Sequence, residues 1–172
     1  MYESETSKVR HLVLPFIHQK HKVADVGFGG DKIIPTAVGI DLPTPYAVTG
    51  RDQVDIPCDI RQGIPIADNT FDNTYTSHLI EDFPDTASIL RELIRITKNR
   101  GLLILVFPDQ QIYEQHCLKH DQPLNLYHAY KNFGLIFLNN VLKAIDEISF
   151  KPLYISDCEI DYNVIMVIRI KK

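Results

Sequence analysis

The chain has 172 residues, 45 % of them apolar, which is enough for one continuous core and one domain spanning 1–172. Acidic residues number 22 against 18 lysines and arginines, a formal net charge of -4, which argues against a nucleic-acid partner because phosphate neutralisation needs clustered cations. Cys58, Cys117 and Cys158 lie too far apart for a disulfide framework or a zinc knuckle, no apolar run nears the roughly 20 residues of a membrane span, and no signal-peptide pattern precedes the first strand, so a cytoplasmic protein is expected.

At the start of the chain Lys8, Arg10, Lys20 and Lys22 gather with His11, His18 and His21, a grouping better explained by a solvated helix face than by a phosphate patch. Short apolar runs then alternate with segments of helical period. Strands are expected near 22–27, 37–41, 53–58, 71–76 and 101–107. VADVG and LLILVF are almost unbroken apolar runs, as in strands buried on both faces of a parallel sheet. The clearest helix is Asp85 to Lys98: Pro84 stands before it, Ile89, Leu90, Leu93, Ile94 and Ile96 form its stripe, and Gly101 ends it. Beyond strand five, residues 110–131 are rich in His and Tyr and read as two short helical pieces around a loop at Pro123. A helix over about 133–148 follows, and two β-rich runs separated by Asp161, Tyr162 and Asn163 read as a closing hairpin. The alternation defines an α/β chain with a mostly parallel sheet between helical layers, a Rossmann-like arrangement.

The chemistry gathers at the ends of the expected strands, the edge where open α/β sheets bind ligands. Gly27, Phe28, Gly29 and Gly30 follow the first strand, where glycines permit a tight turn and close ligand approach. A glycine turn without any ligand has the same appearance. Asp25 precedes that turn where dinucleotide sites carry a small apolar residue, and Lys32 holds the third position of the GxGxxG fingerprint. A carboxylate there suits a cationic ammonium better than a pyrophosphate. Asp41, with Leu42 beside it, ends the second strand and is placed to accept both hydroxyls of a ribose. Asp59 follows the third strand, and Ile60 offers an apolar wall for a purine. Any one of these is equally well a loop aspartate; three at successive strand ends are harder to dismiss.

From Lys22 to Asp109 the chain resembles the class I S-adenosylmethionine-dependent methyltransferases, especially small members acting on metabolites and glycans. VADVGFGG, GIDLP, CDIRQGIPIADNTFDNTYTSHLIEDFPD and LRELIRITKNRGLLILVFPD carry the resemblance, in the family's order. It implies a seven-stranded sheet of order 3-2-1-4-5-7-6 with the last strand antiparallel, and S-adenosylmethionine bound across the ends of strands one to four. It places Asp25 by the methionyl amino group, Gly27, Gly29 and Gly30 along the cofactor, Asp41 on the ribose, and Asp59 and Ile60 at the adenine. Ser77 and His78 match the loop that passes the methionyl end and opens toward the acceptor. Two departures stand out. Only about six residues separate Gly30 from the second strand, so the helix after the glycine loop is missing or reduced to a turn. The exposed sheet face then needs cover from the N-terminal segment or from a second subunit in a homodimer. In addition, Asp82 stands where relatives commonly have His.

A sulfonium methyl needs chiefly an aligned nucleophile. A base helps where the acceptor is a hydroxyl, and His128 is the first candidate, His78 the second and Asp109 the third; a structural or surface role is the competing reading of His128. His116, Cys117 and His120 invite a metal reading, but Cys117 points off the shared helix face and no fourth ligand is evident, so no metal is expected. Tyr113, Tyr127 and Tyr130 either stack on an acceptor ring or pack the segment they belong to. The expected activity is methyl transfer to oxygen or nitrogen of a small or sugar-containing acceptor, with 110–131 as its cap. A non-catalytic nucleoside-binding module and a nicotinamide-dependent oxidoreductase are the rivals, the second opposed by Asp25 and Lys32.

Overall fold

A computed structural model of the chain describes residues 3–45 and 50–172. It contains a seven-stranded sheet of order β3-β2-β1-β4-β5-β7-β6, the order that the resemblance implied. The strands are β1 (Val23–Val26), β2 (Val38–Asp41), β3 (Ile56–Pro57), β4 (Phe71–Ser77), β5 (Thr97–Pro108), β6 (Ser149–Ile160) and β7 (Asn163–Lys171). The pairs β3–β2–β1–β4–β5 are parallel, and β7 runs antiparallel to both β5 and β6.

Period-two alternation in the central strands feeds two cores. Leu103, Leu105 and Phe107 of β5 and Val164, Met166, Ile168 and Ile170 of β7 point to one face, where they pack against α2 (Thr86–Ile96) and α4 (Leu135–Lys143). Ile104, Val106, Ile165 and Val167 point to the other, with Tyr75, Ile33 and the helix α1 (Glu5–Val13). Burying each of these large aliphatic side chains contributes about 1.5–3 kcal/mol, so β5 and β7 dominate the stability of the sheet.

The second face is thin. Residues 31–36, after the glycine turn, form no helix, and Val9 and Val13 of α1 supply the cover instead. Arg10 anchors α1 by donating to Asp31, Lys32 O and Ile33 O at 2.5, 3.0 and 3.3 Å. The helix therefore has a buried stripe and an anchored arginine, rather than the freely solvated cationic face expected of residues 8–10.

Three boundaries differ from expectation for identifiable reasons. The helix α2 stops at Ile96, because the Thr97 hydroxyl donates to Leu93 O at 2.7 Å and meets Thr74 Oγ1 at 2.7 Å, turning the chain directly into β5. β3 shrinks to two residues: Pro57 has no N–H to donate, and the Asp55 carboxylate takes the Gly39 N–H at 2.7 Å where another strand residue would pair. Within 110–131 only one helix forms, α3 (Gln110–Lys119), capped by Asp109 through Gln111 and Ile112 N–H. The piece after Pro123 is an extended loop, held where Asn125 N–H donates to Tyr113 Oη at 2.8 Å.

Candidate active site

Two cavities open at the carboxyl ends of β1, β2, β3 and β4 and share Gly27 and Tyr127. The first, about 300 Å³, is lined by Val26, Ile40, Asp41, Leu42, Asp59, Ile60, Leu79 and Phe83 among others. It is an apolar slot with carboxylates at its rim, suited to a purine nucleoside. The second, about 430 Å³, is lined by Glu5, Phe28, Gly29, Ser77, His78, Tyr113, His128 and Tyr162 among others.

The glycine turn makes room for the junction. Gly27 has φ 70°, and a Cβ there would come within 2.7 Å of Leu79. Gly30 has φ 82°, and a Cβ would meet Gly50 O at 2.9 Å. Asp41 holds the turn: Oδ2 accepts the Gly29 N–H at 3.0 Å and Oδ1 accepts the Leu42 N–H at 2.7 Å. Partial burial raises its pKa despite these two bonds. Asp59 caps a short 3-10 turn, accepting from Arg61 N at 3.0 Å and pairing with the Arg61 guanidinium at 2.6 Å. Asp25 and Gly30 line neither cavity. Asp25 is fully buried, its Oδ2 accepting the Ile33 N–H at 2.6 Å, and burial pushes its carboxyl up to about 8 against that bond. Its visible work is to tie the turn after the glycines to the floor of the sheet.

The two histidines singled out in the sequence meet around one buried carboxylate. Glu81, 1 % exposed, places Oε1 3.3 Å from His78 Nδ1 and 4.0 Å from His128 Nε2. Their protonation differs because their second partners differ. Asn163 Nδ2 donates to Glu5 Oε2 at 2.9 Å, which turns Asn163 Oδ1 toward His78 Nε2 at 2.7 Å. Both His78 nitrogens thus face acceptors. Burial alone would lower its pKa, but Glu81 and Glu5 overcome that and raise it to about 9, so His78 is an imidazolium at neutral pH. On the other side, Gln110 Nε2 donates to Glu114 Oε1 at 3.0 Å, which turns Gln110 Oε1 to His128 Nδ1 at 2.6 Å. That assigns the His128 proton to Nδ1 and leaves Nε2 as an acceptor. Burial, aided by the His78 charge, lowers the pKa of His128 and keeps it neutral.

Glu5, Glu81, Gln110 and Asn163 were not among the expected site residues. Glu5 lies 158 positions from Asn163 and reaches the site only because α1 folds over the thin face; its carboxylate also accepts from Tyr162 Oη at 2.8 Å. The signal for Glu81 was present in the LIEDF run but not its burial. His116 and His120 stack on each other at 4.4 Å between ring centroids, and no group of three potential metal ligands occurs among the described residues.

A sheet in this order, with a glycine turn leading into an apolar slot and an acidic residue ending β2, is the arrangement of the class I S-adenosylmethionine-dependent methyltransferases. The chain matches, over residues 25–105, the model of the family described as "Methyltransferase domain". It is an enzyme whose methyl donor is S-adenosylmethionine and whose by-product is S-adenosylhomocysteine.

Solved structures agree on the fold. The PH0226 protein of Pyrococcus horikoshii superposes with a TM-score of 0.70 at 17 % identity, over 95 % of this chain and 88 % of that one. A Thermotoga maritima S-adenosylmethionine-dependent methyltransferase, described as a possible histamine N-methyltransferase, gives 0.67 at 16 % identity over 97 % and 89 %. A structure described as a complex between the Haloferax volcanii Trm112 methyltransferase activator and "the putative methyltransferase" gives 0.69 at 13 % identity over 96 % and 89 %. At these identities the likeness is one of fold. No curated protein matches the chain by sequence. No helix among the described residues is long and apolar enough to cross a membrane.

Proposed function

We propose that the chain methylates an oxygen or nitrogen atom of a small or sugar-containing acceptor, using neutral His128 as the base. One observation carries this reading: the donor-shaped slot and the second cavity join at Gly27 and Tyr127, and His128 lines the second with Nε2 as its acceptor atom.

The slot fits the methyl donor by its own chemistry. Asp41 offers a carboxylate to ribose hydroxyls, Ile60 and Leu42 offer apolar walls to adenine with Asp59 at its edge, and Gly27, Phe28, Gly29 and Ser77 line the way to the methionyl end. Glu5, in the second cavity, supplies negative charge for the methionyl ammonium and sulfonium, while Asp25, kept protonated by burial, braces the turn beneath them. When bound, the donor supplies an electrophilic methyl with a neutral leaving group. The chain then has to align the acceptor and take one proton. His128 Nε2 takes it, Gln110 Oε1 holds the resulting imidazolium at Nδ1, and Glu81 stabilises it from 4.0 Å. His78 remains a cation throughout and balances Glu5 and Glu81. It is a positioning group in this scheme, and Asp109, occupied as the α3 cap, is not needed as a base.

Residues 1–172 act as one methyltransferase domain in this reading. The 110–131 segment serves as the acceptor cap, tied down by Ala129 N–H on Glu81 O at 2.8 Å and by Tyr130 Oη on Pro84 O. Three free thiols, Cys58, Cys117 and Cys158, accord with a reducing cytoplasm. The test is a thermal-shift measurement with S-adenosylhomocysteine followed by an acceptor screen across alcohols, phenols, amines and sugars. Stabilisation with product formation supports the assignment. Stabilisation without product in every class favours a binding module.

A further inference from the structure

The opposite edge of the sheet carries charge of the other sign. At the amino ends of β1 and β5, the start of β6 and the end of β7, Arg100, Lys151, Arg169 and Lys171 are all exposed and have no carboxylate partner among the described residues. They line two adjoining concavities of about 380 and 250 Å³ that share Arg100 and Arg169. Lys151 and Arg169 stand directly opposite each other in the β6–β7 ladder, so their side chains leave the same face. Like charges in that position repel and cost stability. Lys171, two residues on from Arg169, extends the row on that face, which is the thin one, where Phe16 and Tyr154 pack further along. Arg100 is held at φ 65°, a left-handed backbone that a residue with a side chain adopts at a cost.

The one carboxylate among the described residues that line the cleft, Asp72, is already neutralised: it accepts from Lys98 Nζ at 2.7 Å and from Lys22 N–H at 2.8 Å. A chain of net charge -4 thus leaves two guanidiniums and two ammoniums unmatched in a cleft at the far edge from the methyl-transfer cavities. We propose that this cleft is a binding site for the phosphate group of a small phosphorylated compound, with Arg169 and Arg100 as donors to the phosphate oxygens and Lys151 and Lys171 completing its neutralisation. An anion here relieves the Lys151–Arg169 repulsion, so binding and stability are coupled. The field of the molecule also directs anions to this edge and away from the acidic cavities.

The test uses the full chain, isotopically labelled for NMR, titrated at low salt with inorganic phosphate and, separately, with glycerol phosphate. Saturable amide shifts confined to 98–102, 149–151 and 168–171 support the site, and tighter binding of the ester than of the free ion identifies a phosphorylated metabolite as the ligand. The double variant K151Q/R169Q should weaken binding by about tenfold or more and raise the Tm of the ligand-free protein while leaving stabilisation by S-adenosylhomocysteine unchanged. Absence of shifts at this edge, or full binding by the double variant, overturns the proposal. So does a preference for single-stranded RNA or phosphatidylserine vesicles over both small probes, which would make the cleft a macromolecular surface.

Discussion

Gln110 Oε1 lies 2.6 Å from His128 Nδ1, and the Gln110 amide can present that oxygen because its Nε2 is committed to Glu114. The pair decides which imidazole nitrogen is free. Gln110→Ala should lower kcat by about tenfold with a smaller effect on donor affinity, whereas His128→Ala should lower it by roughly 10²–10⁴, the usual worth of a general base. Gln110→Glu is the informative variant. A carboxylate at that position raises the His128 pKa, so the acidic limb of the kcat/KM profile should move to higher pH while activity at alkaline pH is retained. An unmoved profile would separate Gln110 from the base.

His78 makes stability depend on pH in a defined sense. Its pKa is raised from 6.5 to about 9 in the folded chain, so the folded state holds the proton more tightly than the unfolded one. The stabilisation is fully present below about pH 6.5 and is lost as pH rises through about 9; a shift of this size corresponds to a few kcal/mol at most. Asp25 acts in the same direction at lower pH, since its folded value of about 8 lies above the ordinary 3.8. Urea denaturation should show stability falling between pH 6.5 and 9, and His78→Gln should flatten that slope. A rising slope would contradict the imidazolium assignment.

The strands and α2 were legible because burial on both faces writes an apolar run and burial on one face writes a 3.6-residue stripe. Asp41, Leu42, Asp59 and Ile60 were legible for a related reason: in a parallel sheet the ends of successive strands lie side by side, so acids spaced along the chain converge. The Glu81 core of the site was not. Glu81 meets His128 because 110–131 folds back as a loop, and Glu5 arrives through the packing of α1 on a face that lost its usual helix. The abrupt α2–β5 junction was hidden as well, since a single buried hydroxyl at Thr97 makes it, where sequence signals pointed to Gly101.

Gly27→Ala tests the turn at the junction of the two cavities. With φ 70° the new side chain costs about 1–2 kcal/mol from backbone strain, and its Cβ would sit 2.7 Å from the Leu79 side chain. Because the obstructing atoms belong to a flexible side chain, Leu79→Ala in the same background should recover part of the donor affinity. Gly30→Ala should not be recovered in this way, because its obstacle is the Gly50 backbone carbonyl at 2.9 Å. Calorimetry with S-adenosylhomocysteine on the three variants distinguishes the two cases.

Asp41→Ala bears on the donor slot itself. In the wild type the carboxylate already accepts the Gly29 and Leu42 N–H groups, so the substitution removes both the ribose acceptor and the brace of the glycine turn. Donor affinity should fall by about 1–3 kcal/mol, the scale of losing hydrogen bonds to a charged group. Asp41→Asn separates the two roles. An amide oxygen still accepts one of the two backbone N–H groups, so the Tm should fall less than in Asp41→Ala, but one acceptor for the ribose becomes a donor and the bidentate grip is lost. A Tm between those of Asp41→Ala and the wild type, with binding of S-adenosylhomocysteine weakened about as much as in Asp41→Ala, is the expected pair of results, and undiminished binding in both variants would remove Asp41 from the donor site.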